Sequence, residues 1–235
     1  SIVSAAIHAV LPDVAVVRAL QGYRFGTGKI VLVAAGKAAW QMANAASDCL
    51  GDRIADGVVV TKYGHIKGPI AHIRCFEGGH PVPDDGSCRG TQAALDLVQG
   101  LTAQDTVVFL LSGGGSALLE KPLIPLDELQ DITQQLLGCG ADIVEINTIR
   151  KRLSAVKGGR FAMACAPAQV LCVVLSDVLG DPLDMIASGP AASDKSTCAD
   201  ALAIAEKYQV ALSDSAMDCL RTETPKELTN VSTQI

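Results

Sequence analysis

Short apolar runs alternate with amphipathic segments along most of the chain. Each run has the length of a β-strand and contains few polar residues, which is typical of strands buried on both faces of a parallel sheet. The intervening segments repeat apolar residues at the spacing of α-helices. The pattern therefore predicts an α/β fold, a doubly wound and mostly parallel sheet with helices on both faces. The predicted strands are 29–35, 57–61, 72–76, 106–111 and 170–175.

Helical periodicity also extends to both ends of the chain. Residues 1–20 predict two helical pieces, the second with Pro12 in its first turn, where the missing proline N–H is not needed. Residues 223–235 are polar and lack an apolar period, so we expect a frayed tail after a single domain, 1–222. Further helices are expected at 37–50, from after 86 to 98, in two stretches within 125–151, and near 197–207 and 213–221.

The fourth predicted strand runs into a loop with three consecutive glycines. Glycines allow a sharp turn and a close approach of the backbone to a ligand. A helical pattern follows, so its first N–H groups and its dipole would face the same point. The loop therefore predicts a site for a phosphate or carboxylate group, formed by Ser112, Gly113, Gly114, Gly115 and Ser116.

Three other predicted strands end in polar or glycine-rich loops, at 36–37, 77–80 and 176–181. Ligands of doubly wound sheets bind outside the carboxyl ends of the strands, so we expect these loops to share one site. Lys37 is a candidate because a cation stabilises a transferring phosphoryl group, and a solvated surface lysine is the alternative. His80, in the loop after the third strand, is a candidate ligand contact.

Two carboxylates follow the fifth predicted strand. Asp177 and Asp181 are candidates to hold Mg²⁺, and a carboxylate here could also take a proton from a substrate hydroxyl. Helix capping is the alternative, and it is favoured for Asp181 because Pro182 follows. For Asp177 we favour a direct role, as a metal ligand or as the proton acceptor.

A dense basic segment lies at 147–160, where five cations fall within eleven residues. A solvated helix face is one explanation. We favour a collar of cations in which Arg152, Lys157 and Arg160 bind phosphate or carboxylate groups.

Composition narrows the classes of function. The net charge of −6 and the lack of a basic stripe argue against nucleic acid as a partner. No apolar run approaches the roughly 18 residues that span a membrane, and the first residues do not resemble a signal peptide. The eight cysteines form no C-x-x-C pair, so we expect reduced core cysteines in an intracellular protein. The Walker A and G-x-G-x-x-G fingerprints are also missing from the sequence.

Five motifs occur in the order of a known family: AGKAA at 35–39, EGGHPVPD at 77–84, LSGGGSA at 111–117, NTIRKRLS with KGGR in 147–160, and SDVLGDP with IASGP in 176–190. The chain closely resembles the N-terminal domain of the class II glycerate kinases, the family with a MOFRL C-terminal domain, and looks most like the animal enzyme. The resemblance implies a Rossmann-like domain that uses ATP and Mg²⁺ to phosphorylate the 2-hydroxyl of D-glycerate. It also implies the cytosol or the mitochondrion as the compartment.

The resemblance further implies that Lys37 neutralises charge, that Asp177 is the base or a metal-side carboxylate, and that 112–116 cradle phosphate or carboxylate. Which loop meets ATP and which meets glycerate stays open, as does a homo-oligomer. The family pattern stops near Pro225. We therefore expect a truncated or alternatively spliced form without the MOFRL domain, and little activity. The alternative is a non-catalytic module that binds a small anion or a nucleotide.

Overall fold

The computed structural model describes residues 12–175 and 182–234. Its strands are β1 Ile30–Ala35, β2 Ile54–Lys62, β3 Ile73–Gly78, β4 Thr106–Ser112, β5 Gln169–Leu175 and β6 Val231–Gln234. They form a six-stranded sheet in the order β3-β2-β1-β4-β5-β6. Every pairing between them is parallel. The predicted α/β class and doubly wound parallel sheet are confirmed.

Helices cover both faces of the sheet. They are α1 Pro12–Gly22, α2 Ala39–Leu50, α3 Asp85–Leu97, α4 Gly115–Leu118, α5 Leu126–Gly138, α6 Ile143–Arg152, α7 Arg160–Cys165, α8 Cys198–Lys207 and α9 Asp214–Leu220. One face packs against α1 and α2, and the other against α3, α4 and α7. The remaining helices, α5, α6, α8 and α9, form a smaller apolar cluster of their own. None of the helices described here is both long and apolar enough to span a membrane.

The strands are continuous apolar runs because both of their faces are buried. In β1, Val31 and Val33 join one core while Leu32 and Ala34 join the other, as the alternation of side chains along a strand requires. All six residues of β1 are buried. Helix α1 is described from Pro12 on and contains the second predicted helical piece, while the piece expected before it lies outside the described residues.

The last residues do not form the expected frayed tail. Val231 pairs with Val170, so β6 is an edge strand of the sheet. Just before it, the buried Asn230 Nδ2 donates to the carbonyl oxygens of Ala162 and Ala168, both at 3.0 Å. Part of the expected tail is therefore a paired strand of the sheet, while the domain boundary at 222 stays a prediction. The sequence did not predict this strand because its side chains are mostly polar, and strand pairing uses backbone groups that are present whatever the side chains are.

The strand order reverses between β1 and β4. Connections from these two neighbours run away from each other, which leaves a crevice beyond their carboxyl ends, at Ala35 and Ser112. Ligands of doubly wound proteins bind at such a switch point.

Candidate functional site

The loops after β1 and β4 are hydrogen-bonded to each other at the switch point. Lys37 N donates to the Gly113 carbonyl at 2.8 Å, and Ala38 N donates to Ser112 Oγ at 3.0 Å. Gly36 has a φ of 125°, and a Cβ atom on it would collide with Ser112 Oγ. Glycine is therefore required there, and the Ser112 hydroxyl ties the two loops together.

Lys37 and His80 converge on the middle glycine of the triple-glycine loop. Gly114 has a φ of +86°, and a Cβ atom on it would stand 2.9 Å from Cδ2 of His80 and 3.2 Å from Cγ of Lys37. Three residues that the sequence singled out, from three different loops, thus meet at one point.

The electrostatics of this point favour an anion. Burial lowers the pKa of His80, and the nearby charges of Lys37 and Lys62 lower it further. The imidazole is therefore neutral at pH 7. Within 12–175 and 182–234, neither Lys37 nor Lys62 forms a salt bridge.

A pocket of about 390 Å³ opens beside Lys37. Trp40, Gln41, His65 and Lys67 also line it, and none of its lining residues is a carboxylate. His65 Nδ1 donates to the Lys37 carbonyl at 2.9 Å, which fixes the backbone from which the lysine projects. No sequence motif marks His65, because its partner is a main-chain oxygen on another loop.

A polar chain leads from the glycine loop into the interior. Ser116 Oγ lies 3.5 Å from Ser188 Oγ, which donates to Asn147 Oδ1 at 2.9 Å. Ala187 and Ser188 have φ values of 52° and 61°. Such left-handed residues are strained and cluster at functional sites. Sequence reasoning gave Asn147 and Ser188 no individual role, although both lie in the quoted motifs.

The basic segment faces the interior and does not form the expected collar. Arg152 has no exposed surface, and its Nη2 donates to the Ser196 carbonyl and pairs with Glu223. The half-buried Arg160 donates through Nη1 to the carbonyls of Lys151, Arg152 and Ser154. Lys157 is fully buried against main-chain carbonyls. The placement of all three favours structural roles, because their donors are directed at protein acceptors.

The helix dipole expected at the glycine loop is also not supported. Helix α4 has only four residues, and a macrodipole requires many aligned peptide units. The backbone N–H groups of the loop itself remain as the candidate donors to an anion.

Asp177 and Asp181 lie outside the described residues. Within the part of the chain that the structure describes, no three His, Cys, Asp or Glu side chains gather as a metal site. The next carboxylate, Asp184, pairs with Lys151 at 3.2 Å.

The sheet order and the site together define a doubly wound α/β protein whose candidate ligand site lies at the β1/β4 switch point. The chain belongs to the family described as domain of unknown function DUF4147, whose model matches residues 1–221. This family is the N-terminal domain of the MOFRL-type glycerate kinases, as the resemblance implied.

Similar proteins carry glycerate kinase names. D-glycerate 2-kinase of Thermotoga maritima is 54% identical over 232 residues, which are 98% of this chain and 55% of that protein. The crystal structure of glycerate kinase from the same organism superposes with a TM-score of 0.93 at 52% identity, covering 99% of this chain and 56% of that one. The chain therefore spans about half the length of these relatives.

Two further relatives qualify the resemblance. Human glycerate kinase is 41% identical over 194 residues, 76% of this chain and 37% of that protein. The expectation that the chain looks most like the animal enzyme is therefore wrong, since the bacterial enzyme is more similar. A protein of Agrobacterium vitis, 43% identical over 96% of this chain and 52% of its own length, carries the provisional name hydroxypyruvate reductase.

Proposed function

We propose that this chain carries the substrate-binding loops of a glycerate 2-kinase, which transfers a phosphoryl group from ATP to the 2-hydroxyl of D-glycerate. The observation that supports the proposal most is the convergence of Lys37, His80 and Gly114 at the switch point. The names of the relatives supply the substrate class. ATP and D-glycerate are the proposed small-molecule partners, in the cytosol or the mitochondrion.

The chemistry needs positive charge where this site has it. The glycerate 2-oxygen attacks the γ-phosphorus, the bond to the β,γ-bridging oxygen breaks, and ADP leaves with the electron pair. Such a reaction is accelerated mainly by positioning and by stabilisation of charge on the phosphoryl oxygens. Lys37 supplies a compact ammonium for that purpose, and the N–H groups of Gly113–Gly115 supply donors. The neutral His80 is suited to a hydrogen bond with a substrate hydroxyl.

Asp177 is the proposed acceptor of the hydroxyl proton. Asp177 and Asp181 are also the carboxylates that we propose for Mg²⁺, which proteins commonly hold through one or two carboxylates. When bound, the ion would neutralise phosphate charge. The assignments of Lys37, His80 and residues 112–116 do not depend on the ion.

The relatives named glycerate kinase are about twice as long as this chain, which affects the activity expected of it. Phosphoryl transfer needs reactants held in place and shielded from water. We expect this chain alone to bind its ligands and to turn over much more slowly than a full-length relative. Binding without any turnover is the outcome that a non-catalytic module would give.

The test is release of ADP from ATP, Mg²⁺ and D-glycerate, with the bacterial full-length relative as reference. Lys37→Met is expected to lower turnover about 100-fold or more. Lys29→Met is the matched control, because Lys29 directly precedes β1 and so lies at the amino ends of the strands, away from the site. Equal activity of the two variants would refute the role of Lys37.

Ligand binding is measured separately through Trp40, the single tryptophan of the chain, which lines the pocket beside Lys37. A change of its fluorescence with ATP or D-glycerate is expected even if turnover is slow. Calorimetry confirms the affinity, and binding of neither ligand by both methods would refute the kinase and the binding module alike.

Reduction of hydroxypyruvate is a second candidate, favoured by the name of the Agrobacterium relative. Its product is also glycerate, so both activities would recognise the same carboxylate. The loop after β1 carries one glycine followed by Lys37 and lacks the dinucleotide fingerprint. Quenching of Trp40 by NADH would support this candidate, and its absence would exclude it.

A further inference from the structure

A buried cluster of charges lies directly behind the glycine loop. Lys157 and Glu120 have no exposed surface, and Lys157 Nζ lies 3.3 Å from Glu120 Oε2. Arg150 Nη2 lies 3.8 Å from the same oxygen, with only 14% of its side chain exposed. Charges are buried at a high cost in solvation, so a cluster of three needs partners that repay it.

These cations hold the main chain of the glycine loop. Lys157 Nζ donates to the carbonyl of Ser116 at 2.8 Å and to that of Leu119 at 2.9 Å. Arg150 Nη2 donates to the same Ser116 carbonyl at 2.9 Å. Two cationic side chains therefore converge on one main-chain oxygen at the end of the loop.

The Ser116 carbonyl needs these donors because helix α4 ends before it can supply an N–H to this oxygen. In a continuing helix it would accept from the N–H of Glu120, but that N–H donates to Thr91 Oγ1 at 3.0 Å. Helix α4 is a single turn, which is not stable on its own. Cations at a helix C-terminus satisfy such orphan carbonyls.

We propose that Lys157 is a positioning residue, which fixes the main chain of Gly113–Ser116 for the bound anion by holding the carbonyls of Ser116 and Leu119. The side chain acts through the loop and does not touch the ligand. The assignment of an anion to the loop rests on the proposed function, whereas the hold on the loop does not.

The protonation of Lys157 provides a spectroscopic signature. Burial lowers its pKa to about 8; the Arg150 charge lowers it too, and Glu120 opposes the shift. The ammonium donates to the two carbonyls and pairs with the Glu120 carboxylate, whereas the neutral amine has one N–H fewer and no charge. Cys88 also lies near Glu120; burial and the charges of Glu120, Asp85 and Asp84 raise its pKa, and Lys121 opposes them. Lys157 is therefore expected to titrate before Cys88.

The test compares Lys157→Met with Lys151→Met. Lys151 is a matched control because it is also a buried lysine, only 3% exposed, but it pairs with Asp184 and Asp194 rather than with the loop. Amide hydrogen exchange is measured for Leu118 and Leu119, which donate to Gly114 and Gly115. Affinity for ATP and D-glycerate is measured by calorimetry.

Lys157→Met is expected to speed exchange at Leu118 and Leu119 and to weaken binding about 10-fold or more, since small displacements of positioning groups have large effects. Lys151→Met is expected to leave both unchanged, although it also loses stability. Equal behaviour of the two variants would overturn the proposal.

The unmodified chain supplies a readout if Lys157→Met does not fold. The carbonyl ¹³C shifts of Ser116 and Leu119 are expected to move together with a midpoint near pH 8, the pKa of Lys157. If the two carbonyls show no common inflection at any pH at which the chain stays folded, the hold on the loop is overturned. If the chain binds neither ligand but the inflection is present, the proposed function fails and the hold on the loop stands.

Discussion

The imidazole of His80 packs directly against Gly114, where a Cβ atom would stand 2.9 Å from Cδ2 of the ring. The two residues follow β3 and β4, and β2 and β1 lie between these strands in the sheet. The loop after β3 therefore reaches across two strands to close one side of the site. Contacts of this kind make the site sensitive to the size of a single side chain.

Gly114→Ala is expected to abolish ligand binding. The left-handed φ of +86° costs a non-glycine residue about 1 kcal/mol, and the new methyl group would press on His80. Gly100→Ala is the control, because Gly100 has a φ of +72° and no atom within 4 Å of its Cβ position. Urea unfolding should show the backbone strain in both variants and a further loss in Gly114→Ala from the contact with His80, and calorimetry should show lost binding only in Gly114→Ala. Retained binding would contradict the site.

Gly115 and Ala187 are expected to be coupled. A Cβ atom on Gly115 would stand 2.8 Å from the Ala187 Cβ, and the next neighbour would be at 3.7 Å. Gly115→Ala should destabilise the chain by about 1–3 kcal/mol, as overpacking does. Adding Ala187→Gly should restore most of this loss, because glycine removes the methyl group and suits the φ of 52°. A double-mutant cycle checks the pair, and additive effects would contradict the contact.

The pKa of His80 should lie below its ordinary value of 6.5. Burial is the main cause, so Lys37→Met is expected to raise this pKa only part of the way towards 6.5, and Lys29→Met should leave it unchanged. The unfolded chain binds the proton more readily, so this group favours folding above pH 6.5 and loses that contribution as the pH falls. NMR titration of the imidazole tests this, and a His80 pKa above 6.5 would contradict the environment described.

Asp84 should stabilise the start of α3, directly after the His80 loop. Its carboxylate accepts from Ser87 N at 3.0 Å and from the Tyr63 hydroxyl at 2.8 Å. Asp84→Ala is therefore expected to cost about 1 kcal/mol of unfolding free energy. Asp85→Ala, one position later and exposed, should cost less because Asp85 is not the capping residue. Denaturant unfolding that shows equal losses would refute the cap.

Most of the fold could be predicted because buried parallel strands appear in the sequence as continuous apolar runs. The strand predicted at 29–35 is Ile30–Ala35, and that predicted at 106–111 is Thr106–Ser112. The edge strand Val231–Gln234 was missed, since its half-exposed polar residues show no such run. Backbone pairing at an edge leaves little trace in side-chain hydropathy.

The site was partly predictable for the same reason. Lys37, His80 and Gly114 each follow an apolar strand, and parallel strands bring such positions to one edge. The basic segment was misread because burial of a charge depends on partners remote in sequence. Lys157 is explained by Glu120, and Arg152 by Ser196 and Glu223, which no local pattern reveals.

The most direct test of the account is to map binding on the chain by two-dimensional NMR of its amides. Addition of D-glycerate or ATP is expected to shift the amides of Lys37, His80 and Gly113–Ser116. The amide signals of Gln104 and Asp105, which precede β4 at the amino ends of the strands, should not shift. Shifts confined to other regions, or none at saturating ligand, would contradict an anion site at the β1/β4 switch point.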